Sequence, residues 1–401
     1  MKILVLNCGS SSIKFQLFDM ESKTVLTKGM IEKIGLPNSE FQIKDPSGKK
    51  NKFEEPIPNH EKGIDVILTA LTDKAYGCIE SLKEIDAVGH RVVHGGEKFN
   101  KSVLINQEVI DNITACIDLA PLHNPANLEG IKAVTALMGD IPQVAVFDTA
   151  FHQTMPARSY LYGLPYDMYK KYGVRRYGFH GTSHRYVSAR AAVMVGKAIE
   201  DLKIISCHLG NGSSLAAVAH GRSVDTSMGM TPLEGLLMGT RSGSVDAGVI
   251  TYIMEKEHLD AQGLSNLLNK QSGLLGISGV SSDMREVLGA AAEGNDRAEL
   301  TVEIFVQKIR RYIGAYAAEM GGVDVILFTG GIGENNPPLR QRIISNMEYL
   351  GAYLDENENA GSRGVEKIIS TPRSKVKLLV VPTDEEYMIA SDTMNVVNAS
   401  K

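Results

Sequence analysis

Alternation of β-type and helical stretches over 401 residues predicts an α/β fold, and two further observations predict that it is duplicated. The first is a pair of glycine/serine turns half a chain apart: Gly9-Ser10-Ser11 and Gly212-Ser213-Ser214 each join an apolar strand to a returning strand. The second is size: with 43% hydrophobic residues the chain can bury a large core, and its length suits two or more domains.

The elements follow in order. Lys2-Ile3-Leu4-Val5-Leu6 and Phe15-Gln16-Leu17-Phe18-Asp19 flank Asn7-Cys8-Gly9-Ser10-Ser11-Ser12-Ile13-Lys14, a hairpin whose small tip brings backbone N–H groups and hydroxyls within reach of a phosphate. A solvated hairpin needs the same residues, so the tip alone decides nothing. A polar excursion from Leu36 to Lys62 contains a second hairpin around Phe41-Gln42-Ile43-Lys44-Asp45-Pro46-Ser47-Gly48. Helical periodicity appears at Ile64 to Leu71, Val109 to Leu119 and Leu128 to Leu137. Between the first two lies the strand Ala87-Val88-Gly89-His90-Arg91-Val92-Val93-His94, ending in Gly95-Gly96, and Val144-Ala145-Val146-Phe147 ends at Asp148.

The second half repeats the opening. Lys203 to Leu209 runs into Gly210-Asn211-Gly212-Ser213-Ser214 and returns through Leu215 to Ala219, so the two hairpins together suit a polyphosphate clamped between two domains. Ala298 to Met320 reads as a long helix, followed by the strand Val323 to Thr329. Gly330-Gly331-Ile332-Gly333-Glu334-Asn335-Asn336 then forms a glycine turn that admits a nucleotide close to the backbone, and Pro337-Pro338 opens a helix carrying Leu339 to Leu350. Its spacing is neither G-x-G-x-x-G nor G-x-x-x-x-G-K-[ST], which excludes the Rossmann and P-loop readings. The chain closes with strand Val376 to Val381, the turn Pro382-Thr383-Asp384 and a helix from Glu385 to Val397.

Net charge is −5, which argues against nucleic acid as a partner. Cys8, Cys78, Cys116 and Cys207 form no C-x-x-C pair and suit a reducing compartment. Neither a leader nor a long apolar run is present, so a cytoplasmic protein without membrane association is expected.

Charged and imidazole residues gather at strand ends and glycine turns: Arg91, His94, His123, Asp148, His152, His180, His184 and Arg241. The pairs His90/His94 and His180/His184 have zinc-ligand spacing but lack the Glu of H-E-x-x-H, and no G-x-S-x-G elbow supports a serine hydrolase. Arg91 and Arg241 stand beside glycines and suit bidentate contact with carboxylate or phosphoryl oxygens, whereas Arg340 reads as a surface ion-pair residue. Phosphoryl transfer needs mainly positioning, Mg²⁺ and positive charge around the transferred group, and this inventory meets that need.

Asn7 to Lys14, Gly89 to Gly96, Phe147 to His152, Tyr177-Gly178-Phe179-His180-Gly181-Thr182-Ser183-His184, His208 to Gly212, Asp283-Met284-Arg285, Gly331 to Asn335 and Pro382 to Glu386 together resemble the acetate kinase family, in order and over nearly the whole chain. The resemblance implies the duplicated two-domain fold shared by sugar kinases, heat-shock ATPases and actin, with ATP in the cleft between domains. It implies an acyl-side domain over 1–150, with the C-terminal helix 386–401 packing back on it, and a nucleotide-binding domain over 151–385. It also implies a homodimer acting on acetate or acetyl phosphate and ATP or ADP, with Mg²⁺ or Mn²⁺.

Carried over by position, Asn7 and Glu385 match metal-site groups, with Glu386 the neighbouring alternative. His208, Leu209, Gly210, Asn211, Gly212, Asp283, Met284, Arg285, Gly331, Ile332, Gly333, Glu334 and Asn335 match the nucleotide site. Arg91 matches a substrate arginine, Asp148 the catalytic carboxylate, His180 and Arg241 transition-state stabilisers, and Val93, Leu122, Phe179 and Pro232 an acetate-sized pocket. Ordinary core packing would use the same apolar residues. The reaction implied is reversible in-line phosphoryl transfer from ATP to acetate; the alternatives are a propionate or butyrate kinase and, from another class, a non-catalytic actin-like ATPase module. Because a carboxylate acceptor of pKa roughly 4 to 5 is already ionised at neutral pH, Asp148 is expected to position rather than deprotonate.

Overall fold

A computed structural model describes residues 1–400. The chain divides into two compact units, Met1–Gln153 with Asp384–Lys401, and Thr154–Thr383.

The first unit holds an eight-stranded sheet of order β5-β4-β3-β2-β1-β6-β8-β7. Its strands are β1 (Lys2–Cys8), β2 (Ser12–Asp19), β3 (Thr24–Glu32), β4 (Glu40–Lys44), β5 (Lys50–Glu54), β6 (Ala87–Val92), β7 (Val103–Leu104) and β8 (Gln143–Phe147). β1 and β2 pair antiparallel with Asn7 opposite Lys14, which confines the turn to Gly9–Ser11. One face of the sheet buries Leu4, Leu6, Ile13 and Phe15 against Ile64 and Ile67 of the helix His60–Leu71 and Val134 of the helix Asn124–Met138. The other face buries Ile3, Val5 and Phe18 against Ile389, Ala390 and Val397 of the C-terminal helix Glu385–Ala399. Each such aliphatic side chain contributes about 1.5–3 kcal/mol on full burial. Gly89 on β6 sets how closely that helix sits: a Cβ there would stand 2.4 Å from Thr393 Oγ1 and 2.8 Å from Ile389.

The second unit has six strands in the order β11-β10-β9-β12-β14-β13. They are β9 (Lys203–Leu209), β10 (Ser213–Ala219), β11 (Arg222–Thr226), β12 (Val325–Thr329), β13 (Lys367–Ile368) and β14 (Lys377–Val380). Its core packs Ile205, Cys207, Ile326 and Phe328 of the sheet against Val302, Phe305, Ile309 and Ile313 of the 24-residue helix Asp296–Glu319, whose start is capped by Asn295 Oδ1 accepting from the Ala298 N–H.

Strand order demonstrates the duplication. In the first unit β3, β2 and β1 are antiparallel neighbours and β1, β6 and β8 are parallel ones. In the second, β11, β10 and β9 run antiparallel and β9, β12 and β14 parallel.

Two expectations need correction. The segment Gly330–Asn335 is a short helix rather than an open turn. The helix that starts at Pro337 ends at Ile344, because Ser345 is extended and Asn346 adopts φ 63°, and only a 3-10 turn, Glu348–Leu350, follows.

Candidate active site

In the first unit the strand ends converge on Arg91. Asp148, held by its own N–H donating to the Val92 carbonyl, accepts from Arg91 Nε at 3.1 Å and from Nη2 at 2.5 Å, a bidentate pair. Arg91 Nη1 donates to Asn7 Oδ1 at 3.1 Å. Burial alone would lower the Arg91 pKa, but Asp148, Glu385 and Glu386 outweigh it and raise it. Glu385, first residue of the C-terminal helix, has its carboxyl pushed up to about 7 by burial, with Asp148 and Glu386 adding to the rise and Arg91 opposing it. Its carboxyl makes no hydrogen bond among the described residues. Asn127 ties this cluster together: Nδ2 donates to the Cys8 carbonyl at 2.8 Å and Oδ1 accepts from the Val93 N–H at 3.0 Å, bracing the ends of β1 and β6. No motif in the sequence marked Asn127.

In the second unit the tip Gly210–Gly212 lies among three histidines. His180 and His208 stack with ring centroids 4.2 Å apart. Serines fix the rings: Ser214 Oγ lies 2.9 Å from His180 Nδ1 and 2.8 Å from His184 Nε2, while Ser183 Oγ lies 2.8 Å from His208 Nδ1 and from Thr383 Oγ1. His180 itself adopts φ 57°, a conformation that costs about 1–3 kcal/mol in a non-glycine residue and persists only where surroundings over-determine it. Arg241 is brought to the tip by its loop, since the Gly239 N–H donates to the Asn211 carbonyl at 3.0 Å. A Cβ on Gly212 would stand 3.6 Å from both Arg241 Nη1 and the His180 ring, so the glycine leaves the space between them open. Arg241 Nη1 donates to the Pro232 carbonyl, and burial lowers the guanidinium pKa.

The segment Gly330–Asn335 packs on the same hairpin. Gly330 has φ 77° and its Cβ would meet the Leu209 backbone at 2.7 Å, so only glycine fits there. Around Gly331 a Cβ would meet nothing within 4 Å. Glu334 turns its carboxylate inward, accepting from the N–H groups of Gly330 at 2.8 Å and Thr383 at 3.1 Å.

Arg340 corrects the sequence reading most sharply. It is 1% exposed rather than a surface residue, and it donates to the carbonyls of Gly333, Glu334, Asn359 and Ser362 and to Asn359 Oδ1. Burial pulls its pKa down to about 10, with Arg363 adding to the effect. Arg340 thus clamps the glycine segment from behind.

Of the remaining sequence-derived residues, Asp283 caps the helix Met284–Ala292 and pairs with Arg285 at 2.5 Å on the surface, while Met284 is buried in the core. Val93 and the 70%-exposed Leu122 belong to the first unit, and buried Phe179 and half-buried Pro232 to the second. Ile332 packs against the core, Gly333 is buried beneath Leu209, and Asn335 Nδ2 donates to the Gly331 carbonyl.

Two units of one strand plan, each ending in a small-residue hairpin edged with guanidinium groups, define a phosphotransferase of the duplicated α/β class. The chain belongs to the acetokinase family, whose model matches residues 2–391. It is 62% identical over 398 residues to the acetate kinase of Parabacteroides distasonis, covering 99% of this chain and 100% of that one. It is 61% identical to the acetate kinase of Bacteroides thetaiotaomicron, again over 99% and 100% of the two chains. The crystal structure of Porphyromonas gingivalis acetate kinase matches with TM-score 0.96 at 56% identity over 99% of both chains. A propionate kinase structure from Francisella tularensis matches with TM-score 0.91 at 43% identity, over 98% of this chain and 99% of that one. The reaction of this chain is the ATP-dependent phosphorylation of acetate.

Proposed function

We propose that the chain transfers the γ-phosphoryl of ATP directly and in line to acetate, reversibly, with the first unit holding the acyl group and the second the nucleotide. The observation that carries this reading is the second hairpin tip, where the open space at Gly212 is bounded by Arg241 and His180. Donors placed there oppose the charge that spreads over a transferring phosphoryl group. Arg91 receives the carboxylate, and Asp148, engaged by two of its nitrogens, fixes the plane of the guanidinium. Acetate arrives ionised, so Asp148 has no proton to remove.

Mg²⁺ fits the chemistry of the residues assigned to it: Asn7 and Glu385 supply hard oxygen donors, and a divalent cation would offset the cost of burying the Glu385 carboxylate. When bound it would neutralise phosphate charge. We further assign a homodimer. In the second unit the helices Ala247–Lys256 and Ala261–Lys270 bury no residue, although they carry Val249 and Tyr252 at 40% and 61% exposure. No helix among the described residues is long and apolar enough to cross a membrane.

Trapping acyl phosphate with hydroxylamine from ATP and acetate, propionate or butyrate tests the reading. Acetate is expected to give the fastest turnover, with propionate slower by roughly 10-fold or more, since one methylene is worth about 1–3 kcal/mol in a fitted pocket. Val93→Ala should narrow that ratio. Faster trapping with propionate would assign the site to the longer acid, and no trapping with any acid would leave an ATPase module.

A further inference from the structure

We propose that the solvent-facing side of β2–β5 in the first unit is a second binding site, for a small multivalent oxyanion. Register places Lys28, Lys44 and Lys50 directly opposite one another on three neighbouring strands. Like charges so placed are mutually destabilising. The same face balances its acids at the other end of the strands, where Glu32, Glu40 and Glu54 line up and Glu40 is bridged by Lys33 at 2.6 Å and Lys52 at 2.5 Å. The lysine row has no such compensation: Lys28, Lys44 and Lys50 make no side-chain hydrogen bond or ion pair among the described residues.

These lysines, with Lys14, rim a cleft of about 240 Å³ whose lining includes Met30, and Glu386 is the one acid that faces it. Lysines on an exposed edge strand ordinarily serve to block edge-to-edge pairing. That accounts for Lys50 on β5; on β3 and β4 the solvated face calls for a polar residue at the positions of Lys28 and Lys44, but not for the same charge in one register row. The size of the cleft suits a small anion, and the net charge of −5 disfavours a nucleic acid in its place. The chemistry required is two or more negatively charged oxygens set to span neighbouring lysines, as in a diphosphate or a polycarboxylate. The site is separate from the residues assigned to acyl and nucleotide binding, sharing with their surroundings only Lys14, whose charge also reaches Glu385, and Glu386.

Methyl NMR of the full chain labelled at its 16 methionines reads this site directly, with Met30 identified by Met30→Leu. Titration with pyrophosphate should move the Met30 methyl saturably, and raising the salt to about 0.5 M should weaken the binding at least roughly tenfold. The variant K28Q/K44Q/K50Q should weaken it by about tenfold or more while leaving acetate turnover without added anion unchanged. Citrate, titrated in parallel, decides whether phosphate or carboxylate oxygens bind more tightly. K44Q alone, without anion at low salt, should raise the melting temperature by roughly 1 °C or more by relieving repulsion. A Met30 methyl unmoved by both anions, or moved equally in the triple variant, overturns the proposal. Because neither readout involves turnover, that failure is distinct from failure of the kinase reading.

Discussion

The two units share a strand plan and differ in what stands at the strand ends. In the first, the cluster is ionic: Arg91 is engaged by Asp148 and Asn7, with Glu385 close by. In the second, three imidazoles linked through serine hydroxyls and one partly buried arginine surround a glycine tip. On the reading proposed above, the same hairpin is furnished for two different anions. A small carboxylate needs one rigid guanidinium fork, for which paired carboxylates are the natural brace. A polyphosphate needs backbone approach and several donors, for which glycines and uncharged hydrogen-bonding groups serve.

The largest expected difference concerns support of the glycine segment in the second unit. Arg340→Met should destabilise that unit by roughly 3–5 kcal/mol, since it takes the donor away from the buried carbonyls of Gly333 and Ser362 and from Asn359 Oδ1. Urea unfolding followed by peptide-resolved hydrogen exchange would show the loss in the second unit with the first spared. A uniform loss across both units would mean that Arg340 is no local clamp.

Acidification should act with opposite sign on two buried groups, one in each unit. His90 in β6 is held neutral by burial, which pulls its pKa down to about 4 against a smaller upward pull from Gln143. The unfolded chain takes up that proton near pH 6.5 and the folded chain does not, so stability present above pH 6.5 is lost as pH falls toward 4, by about 3 kcal/mol. Asp225 in β11 is pushed up to about 7 by burial, with Glu319 adding to the rise and Arg176 opposing it. There the folded state holds the proton more tightly, so the second unit gains stability over the same fall in pH. Glu385 in the first unit, also pushed up to about 7, gains stability over the same fall and offsets His90, so the test is made at the single residue. Hydrogen exchange at matched denaturant, at pH 7 and pH 5, should show peptides of the first unit losing less protection in His90→Gln than in the parent chain, and peptides of the second gaining less in Asp225→Asn. The same change in parent and variant would contradict the assignment.

How much of this was legible beforehand follows from the kind of signal each residue leaves. Both hairpins, the long helix and the strand before Gly330 show in the sequence because period and glycine/serine turns are local. Arg91, Asp148 and Arg241 stand at strand ends or beside glycines and could be singled out by position. Arg340 could not: its partners Gly333, Asn359 and Ser362 lie up to 22 residues away, and a buried arginine satisfied by carbonyls has the same one-letter context as a surface one. Asn127 is hidden for the same reason, as its partners Cys8 and Val93 are 119 and 34 residues distant. The inward turn of Glu334 was also out of reach, since it depends on the Thr383 N–H arriving from 49 residues away.

The division of labour between the units is tested most directly by calorimetric ADP binding to two variants. Asp148→Asn breaks the brace on Arg91, while Gly331→Val fills the open space beside the glycine segment, where a Cβ meets nothing within 4 Å. Asp148→Asn should lower acetate turnover by roughly 10²–10³-fold yet bind ADP within about twofold of the parent chain, whereas Gly331→Val should weaken ADP binding by about tenfold or more. ADP affinity lost in Asp148→Asn, or retained in Gly331→Val, would contradict the assignment of the acyl group to the first unit and the nucleotide to the second.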